Sequence, residues 1–144
     1  MFTKPKRVIN RVFIHCSDSE DANLKGDALY NAVYKWHVEE RGWKDIGYHY
    51  LIDKEGKFIF ARNLAVMPAA QRGHNLRSVA IMVHGRRKFT DESLGMLLSL
   101  CARINEKLEG RVSFHGHCEV NENKLCPVFN YSNVLRLDRF GRMY

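Results

Sequence analysis

Seven histidines and four cysteines are the residues of this chain best suited to chemistry, and they are unevenly placed. The densest run is His115-Gly116-His117-Cys118-Glu119, followed shortly by Lys124-Leu125-Cys126-Pro127. Imidazole and thiolate are donor types that zinc favours, but the spacing from His117 to Cys126 matches no zinc-finger pair. Joined by His15, at the end of a separate β-type run, the loop can supply three protein ligands and leave one tetrahedral position for water. That is the pattern of a catalytic zinc, whereas four protein ligands make a structural one. One thiolate and two neutral imidazoles leave about one unit of the ion's charge uncompensated, which lowers the pKa of a bound water towards ~7. Residue types alone leave open which histidine and which cysteine of the loop take part.

The other candidates have plainer explanations. His37 follows Trp36 on the apolar stripe of a helix, where a packed, hydrogen-bonded core histidine is expected. Cys101 falls on the apolar face of a second helix and reads as a small buried hydrophobe. His15 and Cys16 are neighbours on an extended chain, so they point to opposite faces and do not share one ion.

These groups need a scaffold, and the hydrophobic pattern describes one. Val8–His15 reads as a strand with Val12 and Ile14 on one face and Phe13 and His15 on the other. Asp27 is positioned to cap a helix over Ala28–Arg41 carrying Leu29, Val33, Trp36 and His37, with Gly42 as its stop. Tyr48–Asp53 and Phe58–Arg62 flank a turn at Lys54-Glu55-Gly56-Lys57 and predict a hairpin. Ser78–His84 is almost continuously apolar, as expected of a central strand covered on both faces. Thr90 is placed to cap a second long helix ending near Gly110; a short strand follows at Val112–Phe114, and Ser132 to cap a last helix through Leu137. The predicted fold is a single α/β domain, a central mixed sheet flanked by helices.

At 144 residues, with 45% hydrophobic and 27% charged residues, the chain suits one packed domain and excludes a disordered or collagen-like one. Lys plus Arg 23 against Asp plus Glu 16 gives +7, a field that favours anionic partners. The basic residues are scattered in short groups, of which Arg86-Arg87-Lys88 is the densest, so nucleic acid is not the expected main partner. No run is long and apolar enough to span a membrane, and the polar opening lacks a secretory signal, so synthesis in the cytoplasm is expected. In that compartment the cysteines are expected as thiols or metal ligands.

Several motifs together resemble one family. Val12-Phe13-Ile14-His15-Cys16-Ser17, Trp36-His37 with Arg41-Gly42-Trp43, Asp45-Ile46-Gly47-Tyr48-His49-Tyr50-Leu51-Ile52, and Gly73-His74-Asn75 before Ser78-Val79-Ala80-Ile81 are similar to successive landmarks of the zinc-dependent N-acetylmuramoyl-L-alanine amidases. This family includes the phage lysozyme-amidases and the peptidoglycan recognition proteins. Gly116-His117, Glu119-Val120 and Lys124-Leu125-Cys126-Pro127 continue the series in order, so the resemblance runs from about Val12 to Pro127.

The resemblance implies one zinc per chain held by His15, His117 and Cys126, with Tyr48 and Lys124 assisting catalysis. It selects His117 over His115 because the family's histidine follows the glycine. It further implies an amidase domain over residues 1–144, acting as a monomeric endolysin. The bond it implies joins the lactyl group of N-acetylmuramic acid to L-alanine of the stem peptide. The protein would be made in the host cytoplasm and act on the wall after release, with peptidoglycan as substrate. Tyr48, Lys124 and Glu122 are all chemically able to carry the proton to the leaving nitrogen. Ala70 stands where phage members tend to show a substrate-facing histidine, a contact for which His74 or Arg72 is the available replacement. The alternatives are a muropeptide-binding module without catalysis, or a regulator of a phage RNA polymerase, an activity some phage amidases have. Retention of the full ligand set with Tyr48 and Lys124 favours the enzyme.

Overall fold

The computed structural model describes residues 1–144 and gathers five strands into one mixed sheet with helices on both faces. Strands β1 (Arg11–Cys16), β2 (Tyr50–Ile52), β3 (Phe58–Phe60), β4 (Ser78–Val83) and β5 (Ser113–Gly116) lie in the order β3-β2-β4-β1-β5. β1 pairs in parallel with β4 and β5, β2 pairs in parallel with β4, and the β2–β3 hairpin is antiparallel. β4 is therefore central, and all six of its residues are buried, which accounts for its near-continuous apolar run.

The period of two along β1 separates the faces. Val12 and Ile14 enter the larger core, to which helix α2 (Asp91–Lys107) contributes Leu97, Leu100, Cys101 and Ile104. On the opposite face helix α1 (Asp27–Tyr34) packs Leu29 and Val33 against Leu51 and Met82. Fully buried aliphatic side chains such as these contribute roughly 1.5–3 kcal/mol each. Thr90 caps α2 as expected, its hydroxyl accepting from the Ser93 N–H at 3.0 Å. No helix is long and apolar enough to cross a membrane.

Some boundaries differ from the expected ones for identifiable reasons. β1 begins at Arg11, not Val8, because pairing with its neighbour starts where the Asn10 and Arg11 N–H groups reach the Arg77 carbonyl; it also runs one residue past His15. Asp27 is the first helical residue and makes no capping bond. The buried Asp53 carboxylate instead accepts from the Gly26 N–H at 2.9 Å and, in the hairpin turn, from Glu55 and Lys57. The helix predicted over Ala28–Arg41 is α-helical only to Tyr34 and continues as a π-helix over Lys35–Glu40, a wider winding frequent at functional sites. Asn130, not Ser132, caps the last helix, α3 (Tyr131–Val134), which stops short of Leu137.

Candidate active site

The carboxyl ends of β1 and β5 lie side by side, and each delivers one imidazole. His15 is the fifth residue of β1, and His117 opens the 3-10 turn His117–Glu119 directly after β5; their rings are 4.6 Å apart. The turn is fixed by Glu119, whose carboxylate accepts from the Gly116 N–H at 2.9 Å and from the Tyr131 hydroxyl. Gly116 has to be glycine, because a Cβ there would meet Tyr131 at 2.5 Å and Pro127 at 2.9 Å.

The third donor arrives from the following loop. The Cys126 carbonyl accepts from the Cys118 N–H at 2.9 Å, and its Sγ accepts from the Cys16 N–H at 2.9 Å. The loop is thereby tied both to the turn and to the end of β1. The donor atoms of His15, His117 and Cys126 all lie within 4.8 Å of one another. Cys118 is outside this cluster. His115, two residues earlier on β5, is bonded to Ser113 at 2.6 Å and Glu119 at 3.0 Å. Of the two histidines and two cysteines on this stretch, His117 and Cys126 are the ones whose donor atoms gather with His15.

Donor chemistry and spacing suit a zinc ion. Tetrahedral zinc with bonds of about 2.0–2.3 Å sets its donors roughly 3.3–3.8 Å apart, within the 4.8 Å span of this group. Burial is the main cause that lowers His15 to about 3, and burial followed by the Lys124 charge lowers His117, so both imidazoles are neutral at neutral pH, the form in which an imidazole can bind a metal. The hydrogen bond with Cys16, reinforced by burial, raises the Cys126 thiol, so a cation has to displace its proton on binding.

These residues open onto a cavity of about 680 Å³ that also holds Tyr48, Lys124, Trp36, His37, Arg41, Arg86 and Arg87. Tyr48 packs 5.1 Å from the His15 ring and 5.3 Å from the His37 ring. Burial, with the Cys126 sulfur adding to it, raises its phenol well above the usual value, so its O–H remains available to donate. Lys124 is exposed on the loop that carries Cys126 and lines the same cavity. His37 accepts from the Gly47 N–H at 2.9 Å, which aligns the segment leading into Tyr48. Glu122 is exposed and does not line the cavity.

His49 is structural: it is fully buried and accepts from the Ala80 N–H of β4 at 3.1 Å. Ala70, Arg72 and His74 are all absent from the cavity lining. His74 is drawn instead to Arg11, at 3.2 Å, and to the Phe13 ring. Sequence reasoning passed over Gln71, which is fully buried with its carboxamide oxygen 2.8 Å from His15 Nε2. A single glutamine in a loop has no periodicity or motif to mark it.

Comparison with known proteins supplies the context. The sequence profile of the N-acetylmuramoyl-L-alanine amidase family matches residues 5–129. The endolysin of Enterobacteria phage T3 is 28% identical over 135 residues, covering 88% of this chain and 85% of the relative. Among solved structures, the N-acetylmuramoyl-L-alanine amidase LysC from Clostridium intestinale aligns with a TM-score of 0.74 at 23% identity, covering 88% of this chain and 82% of that one. An endolysin from a Thermus scotoductus bacteriophage aligns at 0.77 and 20% identity, covering 94% and 86%.

Proposed function

The chain belongs to the N-acetylmuramoyl-L-alanine amidase family, and we propose on that footing that it hydrolyses the amide between the lactyl group of N-acetylmuramic acid and L-alanine of peptidoglycan, using one zinc. It is an amidase of the cell-wall-hydrolysing kind. The observation that carries the finer reading is the convergence of His15, His117 and Cys126 within 4.8 Å in the cavity shared by Tyr48 and Lys124.

His15, His117 and Cys126 hold the ion. Zinc, when bound, supplies Lewis-acid polarisation of the amide carbonyl and activation of water. The chain's own groups account for the rest. As the carbonyl carbon becomes tetrahedral, its oxygen gains negative charge; the Tyr48 hydroxyl donates to it and the Lys124 ammonium stabilises it across a cavity shielded by Trp36 and Val33. The neutral Tyr48 phenol and Lys124 are the two cavity groups able to deliver a proton to the leaving nitrogen. Arg41, Arg86, Arg87 and Lys124 outnumber the single lining acid, Asp18, so the cavity favours a substrate bearing carboxylates, as stem peptides do.

On the same reading the protein is made in the host cytoplasm and acts on the wall, with residues 1–144 forming an amidase domain that works as a monomer. The test of the metal reading is metal analysis with activity on purified peptidoglycan. The protein should carry close to one zinc, lose activity on chelation and regain it with zinc. Cys126→Ser should lose most of the metal, because neutral serine replaces a thiolate. Full zinc retention in Cys126→Ser, or activity that survives verified zinc removal, contradicts the reading.

A further inference from the structure

We propose that Gln71 is a positioning residue for His15: it holds the imidazole in the tautomer protonated on Nε2 and leaves Nδ1 as the nitrogen that faces the metal. The inference rests on the reading of His15 as a ligand and adds which atom ligates and what makes it so.

The argument begins at the far end of a hydrogen-bond chain. The Ser78 hydroxyl, at the start of β4, donates to the Asn75 carbonyl at 2.8 Å, so its oxygen is free to accept. Gln71 Nε2 lies 2.7 Å from that oxygen and 3.3 Å from the His74 carbonyl. Both partners are acceptors at this point, so the amino end of the carboxamide has to face them. The other end, Oε1, then faces His15 Nε2 at 2.8 Å. A carboxamide oxygen only accepts, so Nε2 carries the proton. In a neutral imidazole the remaining nitrogen, Nδ1, keeps its lone pair.

The glutamine is itself held firmly. Asn75 Oδ1 accepts from the Ala70 N–H at 3.1 Å and the Gln71 N–H at 3.0 Å, fixing the backbone on either side of the amide plane. Gln71, Ser78 and His15 are all buried, at 0%, 0% and 1% exposure. Burial keeps these bonds from bulk solvent, and reversing the carboxamide would set its oxygen against the His74 carbonyl, acceptor to acceptor, and against a Ser78 hydroxyl already donating to Asn75, leaving buried groups unpaired. A partner that orients a ligating histidine and raises its basicity is a recurring device at metal sites, and its loss costs about 10- to 100-fold in metal affinity.

The test uses the full chain with ¹⁵N-labelled imidazoles and cadmium(II) ion (¹¹³Cd) in place of zinc, so that nitrogen–metal coupling identifies the ligating atom. Coupling to His15 Nδ1 is expected, with a slowly exchanging proton on Nε2. Gln71→Leu should weaken metal binding by about 10- to 100-fold, measured by chelator competition, and speed exchange of the Nε2 proton. Gln71→Glu keeps an acceptor for His15 Nε2 while placing its second oxygen against the His74 carbonyl, so it should bind metal more tightly and exchange the Nε2 proton more slowly than Gln71→Leu without fully regaining wild-type values. Coupling through Nε2 overturns the proposal while leaving His15 a ligand. Absence of any coupling to His15 removes the ligand reading and the proposal with it. Wild-type affinity and exchange in a folded Gln71→Leu also overturn it.

Discussion

His49 makes the fold sensitive to acid at a place outside the cavity lining. Its ring is fully buried; Nδ1 accepts from the Ala80 N–H of the central strand at 3.1 Å, and Nε2 donates to the Val66 carbonyl at 2.7 Å. Both nitrogens are used in the neutral form, so protonation breaks the bond to β4 and buries a charge. Burial is the main cause that lowers its pKa from 6.5 to about 4, with the Arg7 and Arg62 guanidiniums adding to it against the opposing pull of the Val66 carbonyl. The folded-state value lies below the unfolded one, so this stability is fully present above pH 6.5 and is lost as the pH falls through 4. The shift sets a ceiling of about 3 kcal/mol, and acidification from about pH 7.5 to about pH 5 removes roughly 2 kcal/mol of it. Urea unfolding of the metal-free chain at the two pH values measures the loss. His15 and His37 also titrate, so the comparison is with His49→Gln, which keeps a donor and an acceptor but no titrating group. The pH-dependent loss should be smaller in His49→Gln by roughly 2 kcal/mol. Equal losses in both proteins refute the reasoning.

Other outcomes follow from the site. Tyr48→Phe and Lys124→Ala should each keep zinc and bind muropeptide almost as well, while turnover falls by roughly 10²-fold or more, about 3 kcal/mol of transition-state stabilisation. Zinc content, affinity and rate measured side by side check this, and parental rates in both variants remove the assigned roles. Cys118→Ser should keep its zinc, because Cys118 lies outside the donor cluster; metal analysis that finds the ion lost makes Cys118 a ligand.

The sheet was legible in the sequence because its signals are strong and local. The unbroken apolar run Val79-Ala80-Ile81-Met82-Val83 marks the strand that proves central, and the alternation along Val12–His15 assigns the faces. Helix ends were less legible because tertiary contacts decide them: the Asp53 carboxylate holds the entry to α1 where Asp27 looked sufficient. The switch to π winding at Lys35 has no local sequence signature. The motifs that agree in order point to the candidate residues; the parallel pairing of β1 with β5 sets His15 beside His117, and the loop that follows adds Cys126 to the group. Gln71 was not legible, since its importance depends on lying 2.8 Å from a residue 56 positions away.

The identity of the cleaved bond is the central claim, and mass spectrometry of purified peptidoglycan digested by the zinc-loaded protein tests it most directly. The account predicts glycan fragments ending in a free lactyl carboxylate and stem peptides beginning with a free L-alanine amine, with neither formed in a chelated control. New sugar reducing ends, or peptide cuts beyond L-alanine with the lactyl amide intact, contradict it.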